Sequence, residues 1–323
     1  MTLTPRRTTW LRAIAAGVAA LAALAVACAA ALWATLPDVG ALARSDPRLT
    51  SYMRAQATRR GLPEDAYRVG RWTPLRDVSP YAVCAVLKGE DGAFFHHAGF
   101  DWGQLRRAAL RQLRGRPMGG STVTQQLARN LYLTADRSAY RKLREALIAA
   151  AIERTLPKER ILELYLNVIE FGDGVWGVTA ASEYYFGRSP AALGPLESAY
   201  LASLIPAPRA PLTGRNARRV PFAQRKILRQ LYRSGVIDEL TYAVSLADVN
   251  AMHGLQPGVL DTRALWTGRP AYAHPAAWDR HLERARPPVL AALVRSGCGL
   301  AREIEAREAA ERERALASRE VPR

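Results

Sequence analysis

The longest uncharged run of the chain lies close to its start. Residues 13–36 contain no charged side chain, and Arg6, Arg7 and Arg12 come just before them. At about 1.5 Å of rise per residue, a helix of this length crosses the roughly 30 Å of hydrocarbon in a bilayer. Arginines on the short N-terminal side favour a cytoplasmic N-terminus. The pattern therefore predicts one membrane anchor over 13–36, with the rest of the chain outside the membrane.

A cleaved signal peptide and a lipoprotein signal are the alternatives for this run. The apolar part of a signal peptide spans only about 7–15 residues. A lipoprotein signal would end at Cys28, but Ala25, Val26 and Ala27 match such a signal poorly. A retained anchor fits the length of the run better than either alternative.

Beyond the anchor, apolar positions recur mostly at the spacing of an α-helix. Prolines interrupt residues 37–75, where we expect a connector with one short helix near 52–60. The pattern predicts further helices over 78–89, 105–113, 138–156, 157–166, 179–185, 196–204, 222–232 and 238–246. Residues 301–323 alternate arginine and glutamate, which indicates a solvated helix or a frayed tail. No section is rich in strands, so the predicted fold class is mainly α.

The charge of the chain indicates an anionic partner. A net charge of +17 over 323 residues comes almost wholly from arginine, with lysine only at 88, 142, 158 and 226. Such a balance suits nucleic acid, an anionic membrane surface or a phosphorylated substrate. Nothing but the charge supports a nucleic-acid partner. The sequence has no zinc-finger spacing, no RNP-type aromatic strand and no long basic tract. We therefore expect no nucleic-acid partner.

The three cysteines, Cys28, Cys84 and Cys298, lie far apart in the sequence. Their spacing matches neither a disulfide framework nor a metal motif. Cys28 and Cys84 lie in apolar runs, so we expect them to be small buried side chains. His96 and His97 are adjacent, and no Glu or His follows them at i+4. No metal site is predicted there.

The most informative polar segment is GGSTVTQQLARNLYL, residues 119–133. Its two opening glycines let a ligand approach the backbone closely. Helical spacing places Thr122, Gln125, Gln126 and Arg129 on one face, beside an apolar stripe. A polar helix start of this kind suits an oxygen-rich or phosphorylated ligand. An ordinary capped amphipathic helix with a solvated polar face explains the segment equally well.

A second segment carries adjacent carboxylates. Glu90 and Asp91 directly follow a predicted apolar helix, and Phe94 and Phe95 come soon after them. An acid placed against aromatic rings has its pKa raised, which suits a general acid or base near neutral pH. An exposed acidic turn is the alternative.

Two further positions carry candidate chemistry. Arg141 and Glu145 are i and i+4 on a predicted helix and therefore share a face. They form either a surface ion pair or a cation held in place to meet a phosphate. Asn167 follows the predicted helix 157–166, where it either caps the helix or lines a cleft.

Together and in this order, these segments resemble the family of peptidoglycan glycosyltransferases, which are lysozyme-like polymerases that act on lipid II. The matching residues are Glu90, Asp91, Phe94, His97 and Gly99, then Gly119, Gly120, Ser121, Thr122, Thr124, Gln125 and Gln126, then Arg141, Lys142 and Glu145, and finally Ile161, Leu162, Tyr165, Leu166 and Asn167. The resemblance covers about residues 60–235 and is closest to the monofunctional members.

The resemblance implies a domain organisation. A cytoplasmic N-terminus (1–12) precedes the anchor, and a connector (37–59) leads to a lysozyme-like helical glycosyltransferase domain (60–235). Residues 236–323 have no counterpart and form a C-terminal extension of unknown role. The chain contains no Ser-x-x-Lys and no Lys-Thr-Gly. Their absence excludes a β-lactam-sensitive transpeptidase.

The resemblance also implies site residues. Glu90 is the expected general base, and Glu145 is expected to take part in catalysis. The implied substrate-binding residues are Asp91, Ser121, Thr122, Gln125, Gln126, Arg129, Asn130, Arg141 and Lys142. Position 129 departs from the family, which usually carries lysine there. A planar guanidinium contacts phosphate through a fork rather than as a point charge.

The implied reaction transfers a growing lipid-linked glycan onto lipid II, with inversion to a β-1,4 linkage and release of undecaprenyl diphosphate. The implied partners are lipid II, the glycan strand, cell-division or elongation proteins, and the bacterial inner membrane. Residues 106–116 are expected to lie against its periplasmic surface, and an ordinary basic surface helix is the alternative for this segment. A divalent metal (Mg²⁺ or Mn²⁺) assists the pyrophosphate in some relatives, but no cofactor site is predicted in the protein. A glycan-cleaving lysozyme-like enzyme and an inactive membrane-anchored scaffold remain as alternatives.

Overall fold

The computed structural model describes most of the chain between residues 34 and 254. The described residues are 34–254 without 68, 116–118, 135, 137, 211–212 and 214–217, together with 10, 15–20, 22–23, 26–27, 31 and 298. Much of the predicted anchor, Cys28 and the predicted tail over 301–323 therefore lie outside the described residues. Within the described part, no helix combines the length and the apolar character that crossing a membrane requires. The anchor stays a prediction.

Helices dominate this part of the chain, as predicted. They run in chain order as α1 (Ser51–Arg59), α2 (Pro80–Glu90), α3 (Trp102–Leu113), α4 (Val123–Tyr132), α5 (Ala139–Thr155), α6 (Lys158–Val168), α7 (Val178–Phe186), α8 (Pro195–Leu204), α9 (Arg219–Arg233) and α10 (Glu239–Gly254). Short 3₁₀ turns lie between some of them. The predicted helix positions are confirmed, and the largest difference is at α10, which continues past the predicted end at 246.

α6 lies in the interior of the domain. Its side chains Ile161, Leu162, Leu164 and Leu166 are fully buried although they leave the helix in different directions. A helix that is apolar on several sides needs neighbours on each of them. α4, α5 and α7 supply this cover. α2 packs separately against α8 and α9.

A short antiparallel hairpin follows α6, and the sequence did not predict it. β1 (Glu170–Gly172) pairs with β2 (Val175–Trp176), with Glu170 opposite Trp176. Strands of two or three residues are too short to show the period of two that identifies a strand. Gly177 ends the hairpin at φ +83°, where an added Cβ would lie 2.5 Å from the carbonyl oxygen of Asn167. Only glycine fits this turn.

Asn167 joins α6 to the segment that precedes α2. Its side-chain amide donates to the carbonyl oxygen of Thr73 at 2.8 Å, and its side-chain oxygen accepts from the Thr73 backbone N–H at 2.9 Å. The residue is buried. Asn167 therefore holds two segments together rather than lining a cleft.

α3 differs from the other helices because none of its residues is buried. Asp101 caps its first turn by accepting a hydrogen bond from the Gln104 backbone N–H at 2.7 Å. Apolar and basic side chains are both exposed along it, namely Trp102, Leu105, Leu110, Leu113, Arg106, Arg107 and Arg111. The helix therefore offers a mixed apolar and cationic surface.

Cys84 and Cys298 form a disulfide bond. The prediction that the cysteines form no disulfide was therefore wrong. Cys84 lies in α2 and is fully buried, as predicted. The two cysteines are 214 positions apart, and sequence spacing alone gives no sign of a contact across such a separation.

The helical core continues beyond residue 235. α10 packs against α8 and α9, and Val236, Ile237 and Val249 are buried. The first part of the predicted C-terminal extension is therefore built into the same core as the preceding helices.

Candidate active site

Glu90 is the last residue of α2 and is partly exposed. The side-chain amide of Gln126, on α4, donates a hydrogen bond of 2.7 Å to Glu90 Oε2. Burial raises the pKa of Glu90, while the Gln126 hydrogen bond and the positive charge of Arg129 oppose that rise. The direction agrees with the sequence-based prediction. A raised pKa makes the carboxylate a stronger proton acceptor, which suits a general base.

Asp91 occupies a different environment from its neighbour. Its side chain is fully buried and accepts hydrogen bonds from the Val123 backbone N–H at 2.9 Å and from His97 Nε2 at 2.9 Å. The Gly99 backbone N–H donates to His97 Nδ1 at 3.1 Å, so the ring proton lies on Nε2 and faces Asp91. Asp91 thereby joins the segment after α2 to the start of α4, and its role in substrate binding stays a prediction.

The start of α4 is closed by a capping box. The Thr122 side chain accepts from the Gln125 backbone N–H, and the Gln125 side chain accepts from the Thr122 backbone N–H. The Thr122 hydroxyl also donates to the carbonyl oxygen of Gly99 at 2.7 Å. Both side chains are buried. The Thr122 hydroxyl and the Gln125 side-chain oxygen are therefore used within the fold, where they set the direction in which α4 leaves the loop.

Glu145 lies on α5 and holds two cations. Arg141 donates to Glu145 Oε2 at 2.6 Å, and Lys142 forms an ion pair with Glu145 Oε1. Lys142 also donates to the Ser121 hydroxyl at 3.0 Å. The Glu145 side chain is only 2% exposed. The i, i+4 pair predicted from sequence is therefore not a surface pair but a buried carboxylate that orients an arginine and a lysine.

A cavity of about 300 Å³ opens beside these groups. Arg129 and Asn130 of α4 and Arg141 of α5 form one side of it. The Nε–H groups of both arginines are buried and donate to no hydrogen-bond partner among the described residues. Because buried donors are nearly always paired in folded proteins, two unpaired Nε–H groups on arginines that line one cavity favour an anion as its ligand.

Sequence reasoning did not identify the other residues that line the cavity. They are Tyr52, Thr134, Ile169, Glu170, Ile205, Pro206 and Pro208. Glu170 is buried and paired with Arg209, whose guanidinium donates to both carboxylate oxygens at 2.7–3.0 Å. The pair neutralises an acid that would otherwise repel an anion. Glu170 is the first residue of β1, and its pairing with a residue 39 positions away leaves no signal in the sequence.

One helix, α4, connects the cavity to Glu90. Gln126, which holds Glu90, and Asn130, which lines the cavity, lie on consecutive turns of α4, and Asn130 donates to the backbone carbonyl of Gln126 at 2.9 Å. The structure thus brings together the predicted residues Glu90, Gln126, Arg129, Asn130, Arg141, Lys142 and Glu145. Across the described residues, no group of three His, Cys, Asp or Glu side chains is placed to hold a metal ion.

Comparison with known proteins identifies relatives for the region that contains this site. Residues 59–232 match the family described as Transglycosylase. The chain is 44% identical over 168 residues to the Biosynthetic peptidoglycan transglycosylase of Azoarcus sp. (strain BH72), which covers 51% of this chain and 72% of that protein. With the protein of the same name from Alcanivorax borkumensis, it shares 43% identity over 57% of this chain and 73% of that protein. With that from Bordetella pertussis (strain Tohama I), it shares 42% identity over 64% and 87%.

Proposed function

This chain belongs to the family of biosynthetic peptidoglycan transglycosylases, and we propose how its residues polymerise glycan strands. It is a peptidoglycan glycosyltransferase, and Glu90 is the proposed general base. Gln126 occupies Glu90 Oε2, which leaves Oε1 to take a proton from the acceptor. The observation that carries the proposal is this held carboxylate, which interacts with the charge of Arg129, one of the two arginines that line the cavity.

The proposed acceptor is the 4-hydroxyl of the GlcNAc residue in lipid II. As Glu90 removes its proton, the oxygen attacks the anomeric carbon of the MurNAc residue at the end of the lipid-linked strand. The bond from that carbon to the lipid pyrophosphate breaks on the opposite face, which inverts the linkage to β-1,4. The products are a lengthened strand, still lipid-linked, and undecaprenyl diphosphate.

Negative charge develops on the pyrophosphate as it leaves. Cations aimed at that group stabilise the transition state more than the ground state, and so they accelerate the reaction. Arg129 and Arg141 line the cavity with unpaired Nε–H groups. We assign the leaving pyrophosphate to these two arginines, with Lys142 beside them. Glu145 then acts through the two cations that it orients.

The proposed location is the periplasmic side of the bacterial inner membrane, with residues 13–36 as the anchor. An undecaprenyl chain remains in the bilayer while the sugars react outside it. α3 supports this arrangement because its exposed surface combines apolar side chains with arginines. Such a surface fits the boundary between lipid headgroups and acyl chains.

The test is polymerisation of labelled lipid II by the purified full-length protein in detergent. Glu90→Gln keeps the size of the side chain but removes the base, and we expect the rate to fall by about 10²–10⁴-fold. Glu159→Gln is the control, since Glu159 is exposed on α6. Substantial polymer from Glu90→Gln would overturn the assignment. Release of soluble fragments from finished sacculi would instead indicate a glycan-cleaving enzyme.

A further inference from the structure

A chain of two hydrogen bonds leads from the interior of the domain to Glu90. The hydroxyl of Tyr165, on α6, lies 2.9 Å from Gln126 Oε1. Gln126 Nε2 in turn lies 2.7 Å from Glu90 Oε2. We propose that Tyr165 is a positioning residue for the base: it fixes the orientation of the Gln126 amide, so that the NH₂ group always faces Glu90. The inference rests on the proposed role of Glu90.

The direction of the first hydrogen bond follows from its chemistry. The side-chain oxygen of glutamine has no proton to give, so the phenol of Tyr165 must donate. Burial and the negative charge of Glu90 raise the pKa of Tyr165 well above its ordinary value. The phenol therefore keeps its proton throughout the working pH range and remains a donor.

An amide without such a partner has two orientations available. When the NH₂ group faces Glu90, the amide donates a hydrogen bond to the carboxylate. When the amide oxygen faces Glu90, the amide and the carboxylate repel each other. Tyr165 disfavours the second orientation. Rotation of the amide would break the hydrogen bond that Tyr165 donates to Gln126 Oε1, and it would bring that oxygen against the carboxylate oxygen of Glu90. The second hydrogen bond of the chain thus depends on the first, as expected for linked bonds in a buried network.

The position of Tyr165 makes it a stable reference point. The residue is fully buried, and it lies on α6, which α4 contacts directly. A phenol on a packed interior helix varies little in position. Through Gln126, it therefore restricts the movement of the Glu90 carboxylate at the end of α2. Rigid support of this kind is what keeps a reactive group within its productive geometry.

The chain of hydrogen bonds also affects protonation. The Gln126 hydrogen bond lowers the pKa of Glu90 and so opposes the effect of burial. If Tyr165 is lost, this hydrogen bond weakens and the pKa of Glu90 rises. Because Glu90 must be ionised to act as a base, the acidic limb of the pH–rate profile then moves to higher pH.

The experiment measures kcat, KM and the pH profile of lipid II polymerisation by full-length Tyr165→Phe. We expect kcat to fall about three- to tenfold, the range for loss of one hydrogen bond, with little change in KM and the acidic limb moved to higher pH. Tyr185→Phe is the matched control. Its hydroxyl is also buried and donates to the Phe171 carbonyl at 3.3 Å, so its loss should lower the melting temperature without moving the acidic limb.

A double variant tests whether Tyr165 acts through Gln126. Once Gln126→Ala has removed the amide, adding Tyr165→Phe should change kcat no further, whereas independent effects would multiply. Glu90→Gln is measured in the same series. If Glu90→Gln remains active, the proposed function of Glu90 fails. If it is inactive but Tyr165→Phe matches the wild type in kcat and acidic limb, or the effects multiply, the positioning role alone is wrong.

Discussion

Arg129 contributes to the site in two ways. It lines the cavity assigned to the pyrophosphate, and its charge lowers the pKa of Glu90. Arg141 lines the same cavity but is held by Glu145. The two arginines are therefore alike in lining the cavity and differ in their effect on Glu90, the proposed base.

Arg129→Ala should consequently do more than weaken the leaving-group contact. We expect kcat/KM to fall by about a hundredfold, as for loss of one donor to a developing anion. Without the positive charge the pKa of Glu90 rises, so the acidic limb of the pH–rate profile should move to higher pH. Arg141→Ala should lower kcat/KM with a smaller displacement of that limb. Equal pH profiles for the two variants would contradict the dual role of Arg129.

The sequence predicted the candidate site residues better than the residues that contact them. Glu90, Arg129 and the Arg141–Glu145 pair lie in segments whose order resembles the family, and local spacing is enough to place the pair on one helix face. The contacts of Tyr165 with Gln126 and of Arg209 with Glu170 each join residues 39 positions apart. Such contacts arise from the packing of one helix or loop on another, so no local pattern predicts them.

Among the helices, α3 has a surface that the domain itself does not cover. Trp102 is 71% exposed and Leu113 is 85% exposed, with arginines between them. Trp102→Ser combined with Leu113→Ser should raise KM for lipid II in anionic vesicles by about tenfold, since transfer of these side chains out of water is lost. Turnover at saturating lipid II should be unchanged.

A control for that variant comes from α9. Phe222 is 72% exposed but lies on a different helix, so Phe222→Ser should leave KM unchanged. A short-chain, water-soluble lipid II analogue gives a second comparison, because its capture does not depend on contact with a bilayer. If the α3 variant has the wild-type KM in vesicles, α3 does not lie against the membrane.

The period of 3.6 explains why helices were predicted reliably and the hairpin was not. α2, α5 and α8 each repeat apolar positions over several turns, so their positions in the sequence define them. β1 and β2 together have only five residues, which is too few to show a strand period in the sequence. Their pairing depends on the turns at Gly174 and Gly177, both at positive φ. Turn geometry, rather than hydrophobic periodicity, determines that element.

At the scale of the molecule, the folded unit is larger than the region that resembles the family. α10 begins at Glu239, after the last matched residue at 232, yet it packs on α8 and α9. α9 and α8 both contact α2, which ends in Glu90. The residues after 232 therefore support the helices that position Glu90, the proposed base.

The disulfide between Cys84 and Cys298 extends that support to a distant part of the chain. A cross-link over 214 positions restricts the unfolded chain strongly, and its removal should lower the free energy of unfolding by about 2–5 kcal/mol. Such bonds persist in oxidising compartments, in agreement with the proposed periplasmic location. We therefore expect dithiothreitol to lower the melting temperature of the purified wild-type protein.

Cys84→Ala combined with Cys298→Ala should lower the melting temperature to a similar extent, and dithiothreitol should then have no further effect. Cys28→Ser is the control, because it leaves the pair intact and should respond to reduction as the wild type does. The bond itself is counted by alkylating the unfolded protein without reductant, which should modify one cysteine per chain. Modification of three cysteines in protein purified from the oxidising compartment would show that the bond does not form and that no disulfide cross-links residue 298 to α2.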